Sequence, residues 1–275
     1  MTPTFSTGTG ADDTSRFRPE DVWRVAEHAR DFLDGAAAEL TTVKRELGEL
    51  LSVPARAQLL DVGCGTGADV LALAARVGSG GRVVGIDSSE QLIDRARAIS
   101  AGLPVEFLHG KAGELPFADD TFDVVRSERV IEHVPSPPRA LGEMLRVLKP
   151  GGQLLVCDPD HGMWALDMTD RDLTQRIFGW WSGHVPNPWI ARQLPSLLRN
   201  AGAAAVSVAL YPVALDTLRA ADALTWIGRA AAVAETQRIV TAEEARAWQE
   251  ELVRRDETGN FLLLGVFVAV TAAKR

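Results

Sequence analysis

A doubly wound α/β fold, with helices covering both faces of a mainly parallel sheet, is the class predicted by this 275-residue sequence. Three observations predict it. Short apolar segments with strand character alternate with amphipathic helical segments from about residue 54 to residue 160. One such segment, Leu59-Leu60-Asp61-Val62, runs straight into Gly63-Cys64-Gly65-Thr66-Gly67, and a strand that ends in a glycine loop marks the ligand crevice of such sheets. Hydrophobic residues make up 46% of the chain, enough to bury a full core.

The elements follow in order. Residues 1–15 are rich in Thr, Ser, Gly and Asp, have no signal-peptide core and read as a disordered tail. Residues 16–53 read as an N-terminal helical lid. Pro19 with Glu20 and Asp21 opens its first helix, Val22, Ala26, Ala29 and Leu33 recur at helical spacing, and a second helix covers about 36–51. Beyond Pro54 the pattern predicts a strand at 58–62, a helix at 69–77 broken by the glycines around Ser79, and a strand at 82–87. A helix at 90–100 and strands at 105–109 and 122–127 come next. Leu141, Met144, Leu145 and Leu148 share one helical face, Lys149-Pro150-Gly151-Gly152 ends that helix, and 153–158 is the fifth strand. Residues 54–160 are therefore the expected cofactor-binding core.

Residues 161–275 should complete the sheet and carry helical insertions over the ligand crevice. A helix at 189–200 is closed by Gly202, a strand covers 204–212, and Thr241 with Glu244 forms a capping box that opens a helix to about residue 255. The last strand covers 261–271, and 166–188 and 216–239 are helix-like insertions. Six of the seven tryptophans fall between residues 164 and 248, so this half should line an apolar cavity, although tryptophans also fill cores.

Charge narrows the partners. A net charge of −8 with no Lys/Arg stripe argues against nucleic acid and for a small-molecule partner. The C-terminal apolar stretch is too short and too β-branched to span a bilayer, so no membrane span and a cytoplasmic location are expected. Cys64 and Cys157 are too few for a disulfide framework and read as reduced and buried. Asp158-Pro159-Asp160-His161 reads as a turn rather than a metal cluster, and no metal is expected.

Gly63, Gly65 and Gly67 allow close approach of a ligand to the main chain. Gly63, Gly65 and Ala68 formally match a dinucleotide fingerprint, but a pyrophosphate wants a helix N-terminus free of negative charge, and Asp61 and Asp69 flank this loop. An acid at Asp61, expected to point into the crevice, suits a cation. Asp87 ends the second strand, where a carboxylate can hold both ribose hydroxyls. Ser88 and Ser89 are the better caps for the next helix.

Read with Asp61, the glycine string resembles motif I of class I S-adenosylmethionine-dependent methyltransferases, whose cofactor is cationic and phosphate-free. Leu115-Pro116-Phe117, Glu132-His133-Val134 and Leu148-Lys149-Pro150-Gly151-Gly152 follow in the order found in enzymes similar to the ubiquinone and menaquinone biosynthesis C-methyltransferases. The resemblance implies a Rossmann-like seven-stranded sheet whose last strand is antiparallel, and S-adenosyl-L-methionine as cofactor. It places Asp61, Gly63, Cys64, Gly65, Gly67, Asp87, Ser88, Lys111, Ala112 and Ser127 at the cofactor. The family carries an acid where this chain has Lys111, which offers no acceptor to an adenine amino group; either Lys111 turns outward and backbone around Ala112 serves, or Glu114 takes over, or affinity falls. His133 is the candidate general base, or it braces its loop with Glu132. Trp23, His133, Trp164, Trp180, Trp189 and Trp226 are the candidate acceptor pocket. The expected activity is methyl transfer to a small, apolar, natural-product or quinone-like acceptor by in-line displacement; the alternatives are a cofactor-binding cyclase and a non-catalytic partner subunit of the same fold.

Overall fold

The computed structural model describes residue 36 and residues 39–275. The tail, the first lid helix and Trp23 lie outside the described residues. The second lid helix is present as α1 (Thr41–Leu50), with Val43 and Leu47 buried.

The sheet is built from β1 (Gln58–Val62), β2 (Arg82–Asp87), β3 (Val105–His109), β4 (Phe122–Glu128), β5 (Leu148–Pro159), β7 (Ala204–Leu215) and β8 (Leu263–Ala273), with a two-residue β6 (Ala165–Leu166). Its order is β3-β2-β1-β4-β5-β8, and β7 pairs with the other margin of β8. β1 runs parallel to both β2 and β4, whereas β8 is antiparallel to β5 and β7. The seven expected strands are thus present with the last antiparallel, and β6 is an eighth, paired to the start of β8.

Leu59, Leu60, Val62, Val83, Val84 and Ile86 are all buried, the near-continuous apolar pattern of strands covered on both faces. Leu59, Val83 and Val124 pack with Val70, Leu73 and Val77 of α2 (Ala68–Val77) on one face. Leu60, Val84 and Val125 face Leu141 and Met144 of α4 (Pro137–Val147) and Leu194 and Leu198 of α6 (Ile190–Asn200) on the other. The intervening α3 (Glu90–Ile99) is capped by Ser89, whose side chain accepts from the Leu92 N–H.

One expected boundary moves. The Lys149-Pro150-Gly151-Gly152 stretch is not a loop before the fifth strand but part of it, because β5 begins at Leu148, which pairs with Phe122. Pro150 disfavours helical angles at Lys149, so the chain passes from helix to strand without a loop, and the Gly151 N–H bonds to the Lys274 carbonyl at 3.0 Å.

The insertions form α5 (Arg171–Ser182), α7 (Leu218–Thr225) and α8 (Ala230–Thr236), which pack with α9 (Ala242–Glu257). The capping box at the start of α9 is complete, with Thr241 and Glu244 each satisfying the other's backbone N–H. Trp248 is fully buried, and its indole N–H donates to the Thr174 hydroxyl at 3.1 Å, fastening α9 to α5. No helix among the described residues is long and apolar enough to cross a membrane.

Candidate functional site

The glycine loop leaves β1 under constraints that only glycine meets comfortably. Gly63 has φ +78°, and a Cβ there would lie 2.1 Å from a Val130 methyl carbon. At Gly67, with φ +84°, a Cβ would meet the Phe107 ring at 2.6 Å. The Gly63 and Cys64 N–H groups both donate to the Ile86 carbonyl, at 2.7 and 3.1 Å, tying the loop to β2. The Asp87 carboxylate continues this tie: Oδ2 accepts from the Gly65 N–H and Oδ1 from the Ser89 N–H, both at 2.9 Å. Burial pushes the Asp87 carboxyl upward, and the backbone donors pull against it. Each oxygen keeps acceptor capacity beyond those bonds.

The other cofactor-side candidates divide by placement. A Cβ on Gly85 would strike the Cys64 sulfur at 2.7 Å, so that side chain packs on β2, and burial pushes its thiol well up. Ser88 is exposed, and its carbonyl accepts from the His109 ring at 3.1 Å. Lys111 is exposed, which is the outward alternative; Ala112 is half-buried against the core. Glu114 is also exposed, 3.9 Å from Arg139. Ser127 is fully buried, and its hydroxyl finds no partner among the described residues.

Asp61 departs from expectation. Its carboxylate is 3% exposed rather than open to the crevice, and Oδ1 lies 3.5 Å from Nε of Arg126, a buried arginine on β4 that motif reading passed over. The same guanidinium reaches Glu128 at 2.5 Å and Asp69 at 3.5 Å, while Lys44 of α1 joins Asp69 at 2.5 Å and Glu128 at 3.0 Å. Three carboxylates thus share two cations. Burial, only partly offset by Arg126 and reinforced by Asp69 and Glu128, pushes Asp61 up to about 7. The available signal was a lone arginine inside the apolar run Val124-Val125-Arg126.

Beyond β4 the chain turns at Arg129, whose φ is +56° and whose N–H donates to the Cys157 carbonyl. Val130 then backs onto Gly63, so this loop and the glycine loop touch. Residues Ile131–His133 form a single 3₁₀ turn. Glu128 pairs with Cys157 across the parallel strands, and Glu132 and His161, each four residues further along in the turns that follow β4 and β5, arrive side by side. The His161 Nε2 to Glu132 Oε2 distance is 2.5 Å, and His133 Nε2 lies 3.4 Å from Oε1.

Glu132 is buried, which alone would raise its carboxyl, yet His133, His161 and Arg129 overcome this and hold it down at about 2. Burial lowers the His133 imidazole against the pull of Glu132, leaving it neutral at physiological pH. Asp158 accepts from the Glu132 N–H at 3.1 Å; burial and the nearby Glu132 push that carboxyl far upward, toward its protonated form. Asp160 is tied to Arg192 at 2.5 and 2.6 Å and to the Gly162 N–H at 3.0 Å. In the Asp158-Pro159-Asp160-His161 stretch the two acids and the histidine therefore each hold a protein partner. Asn187 locks the turn from the far side, its side-chain amide donating to the carbonyls of Ile131, Glu132 and Val134 at 3.2, 3.2 and 2.8 Å.

These groups form the polar end of a cavity of about 110 Å³. Trp164, Phe178, Trp181, Trp226 and Phe267 supply the apolar wall; Arg129, Glu132, His133 and His161 supply the polar end. Of the expected pocket residues, His133, Trp164 and Trp226 line it, whereas Trp180 and Trp189 do not. On α5, successive residues turn by about 100°, so Trp181 faces the cavity while Trp180 meets His184 edge-to-face with ring centroids 4.0 Å apart. Trp189, at the start of α6, is 56% exposed. Trp181 and His161 were both present in the sequence, but only strand register and helix phase select them.

The comparisons with known proteins agree with this geometry. The methyltransferase-domain family matches residues 55–202. An uncharacterised 37.1 kDa protein of a Streptomyces fradiae transposon is 35% identical over 199 residues, 70% of this chain and 56% of that protein. A Bacillus cereus demethylmenaquinone methyltransferase is 42% identical over 115 residues, 41% of this chain and 48% of the relative. The chain thus matches about half the length of these curated relatives. Among solved structures, Haemonchus contortus phosphoethanolamine N-methyltransferase 2 with S-adenosyl-L-methionine superposes with TM-score 0.61 at 15% identity, over 98% of this chain and 61% of that one. The cyclase SpnF superposes with TM-score 0.54 at 24% identity, over 85% and 80%. Strand order, glycine loop and a family match covering more than half of the chain converge, and the chain belongs to the class I S-adenosylmethionine-dependent methyltransferases.

Proposed function

We propose that the protein transfers a methyl group from S-adenosyl-L-methionine to a small, mainly apolar acceptor. The observation that carries this reading is the contact of Gly63 with Val130, which sets the glycine loop against the loop that forms the polar end of the aromatic cavity. The donor set fits the cofactor: Asp87 retains acceptor capacity for ribose hydroxyls, and Asp61, once ionised, makes three carboxylates against the two cations Arg126 and Lys44, a balance that favours a cation over a phosphate. Gly63, Gly65 and Gly67 would give the cofactor main-chain contact, with Cys64, Ser88 and Ala112 contributing backbone. When bound, the cofactor supplies an electrophilic methyl group on a positively charged sulfur.

The remaining work falls to this chain's own residues. The aromatic wall excludes water and orients the acceptor, and holding two reactants in line accounts for much of such a rate enhancement. The cavity's aromatic character suits a ring-bearing natural-product or quinone-like acceptor, and the Bacillus cereus relative is named for a demethylmenaquinone. Calorimetric titration with S-adenosyl-L-methionine and S-adenosylhomocysteine tests the first half of this reading; no binding of either would overturn it. Because the fold is shared with the cyclase SpnF, product mass separates the two activities: methylation adds one CH₂ to the acceptor and cyclisation leaves its mass unchanged.

A further inference from the structure

We infer that Glu132 and His161 form a carboxylate–imidazole dyad that takes the proton from a ring hydroxyl of the acceptor, so that the acceptor class is a phenol or ring enol. This rests on the proposed methyl transfer and names the substrate class and base for that same cavity. A carboxylate can only accept hydrogen bonds. The 2.5 Å contact between Glu132 Oε2 and His161 Nε2 therefore places the ring hydrogen on Nε2. Nδ1 is then the ring nitrogen left to take a proton, and no described residue bonds to it. His161 lines the cavity together with the aromatic wall.

The proton balance is simple. The acceptor O–H bond breaks, an N–H bond forms at His161 Nδ1, the electron pair stays on the acceptor oxygen, and Glu132 faces the resulting imidazolium. His133 is the weaker candidate for this role because its contact with Glu132 is longer, at 3.4 Å. Size narrows the acceptor further: about 110 Å³ is of the order of an engineered cavity of roughly 150 Å³ that holds one benzene ring. A single flat ring fits, with its hydroxyl at the polar end. The charged and titratable groups around His161 are Glu132, His133 and Arg129 on the loop after β4 and Asp158 at the end of β5; Asp160, beside it, is taken up by Arg192.

Asn187 and Asp158 act through Glu132 and are positioning residues. The three bonds from Asn187 fix the turn that carries Glu132, and Asp158 accepts from the Glu132 N–H. The dyad is therefore held from both sides before any acceptor arrives, as a preorganised base requires.

The test uses 4-nitrophenol, whose phenolate absorbs in the visible, titrated against the full chain without cofactor so that its outcome is independent of methyl transfer. Bound probe should ionise about one pH unit below free probe, the shift expected beside a newly formed cation. His161→Gln keeps an N–H donor for Glu132 but has no basic nitrogen; it should fold with an unchanged melting temperature and lose the ionisation shift. Nitrogen NMR of the wild-type chain should show His161 as the Nε2–H tautomer. An ionisation shift that persists in His161→Gln, a bound probe that ionises as it does in water, or an Nδ1–H tautomer would each overturn the dyad.

Discussion

At Asp61, burial reverses the usual preference of a carboxylate. Its folded value of about 7 stands above its ordinary 3.8, so the fold favours the neutral form. The stability it contributes is complete below the ordinary value and is lost as pH rises through about 7. Asp61→Asn, which cannot ionise, should gain melting temperature relative to wild type as pH rises from about 4 to about 7; a gap that widens in favour of wild type would contradict this. A cationic cofactor favours the ionised form, so calorimetric affinity for S-adenosyl-L-methionine should rise as pH passes through about 7 and flatten in Asp61→Asn. Gly63→Ala is a harsher change: left-handed backbone costs an L-residue about 1–2 kcal/mol, and the new methyl would meet Val130. Loss of cofactor binding greater than tenfold is expected by calorimetry.

Residue identity alone made the glycine loop legible, because positive φ and close approach can be read from residue type. Arg126 and His161 were not legible in that way. Arg126 matters because it lies on the same sheet face as Asp61, and His161 because parallel register brings it to Glu132 across 29 residues of sequence. Neither relation has a local signature.

At the scale of elements, the 3₁₀ turn Ile131–His133 is held by side chains from two other segments, Asp158 accepting from the Glu132 N–H and Asn187 donating to three carbonyls. Removing a buried group's partners costs about 1–3 kcal/mol, so Asn187→Ala should lower thermal stability and speed amide exchange in residues 129–134 while leaving the β1–β2 core protected. Uniform loosening of the sheet would contradict a local role. The α9 capping box is a contrasting case: Thr241→Ala should cost about 1 kcal/mol of stability, measured by denaturant unfolding, with cofactor affinity unchanged because α9, which Thr241 caps, packs on α5, α7 and α8. The box was evident from sequence because its two halves are three residues apart. Helix phase on α5 was not, and of the adjacent pair Trp180 was the expected pocket residue whereas Trp181 lines the cavity.

Across the whole molecule, alternating strand and helix patterns were enough to anticipate the sheet, because parallel connections follow few routes. The insertions resisted the same reading, since the buried residues of α7 and α8 are mostly alanines and those of α5 are Leu173, Thr174 and Ile177, none of which belongs to a motif. α5 and the end of α7 supply much of the apolar wall with Trp164 and Phe267, the segments after β4 and β5 supply the polar end, and the glycine loop backs onto that end through Gly63 and Val130. On the proposed function, this junction serves a bound S-adenosyl cofactor. Calorimetric titration of S-adenosylhomocysteine into the wild-type chain and into Asp87→Ala tests it most directly. One-to-one binding by the wild type, weakened at least tenfold (about 1.4 kcal/mol) in a folded Asp87→Ala, is the expected result; a wild-type chain that gives no binding, or an Asp87→Ala that binds equally well, would contradict it.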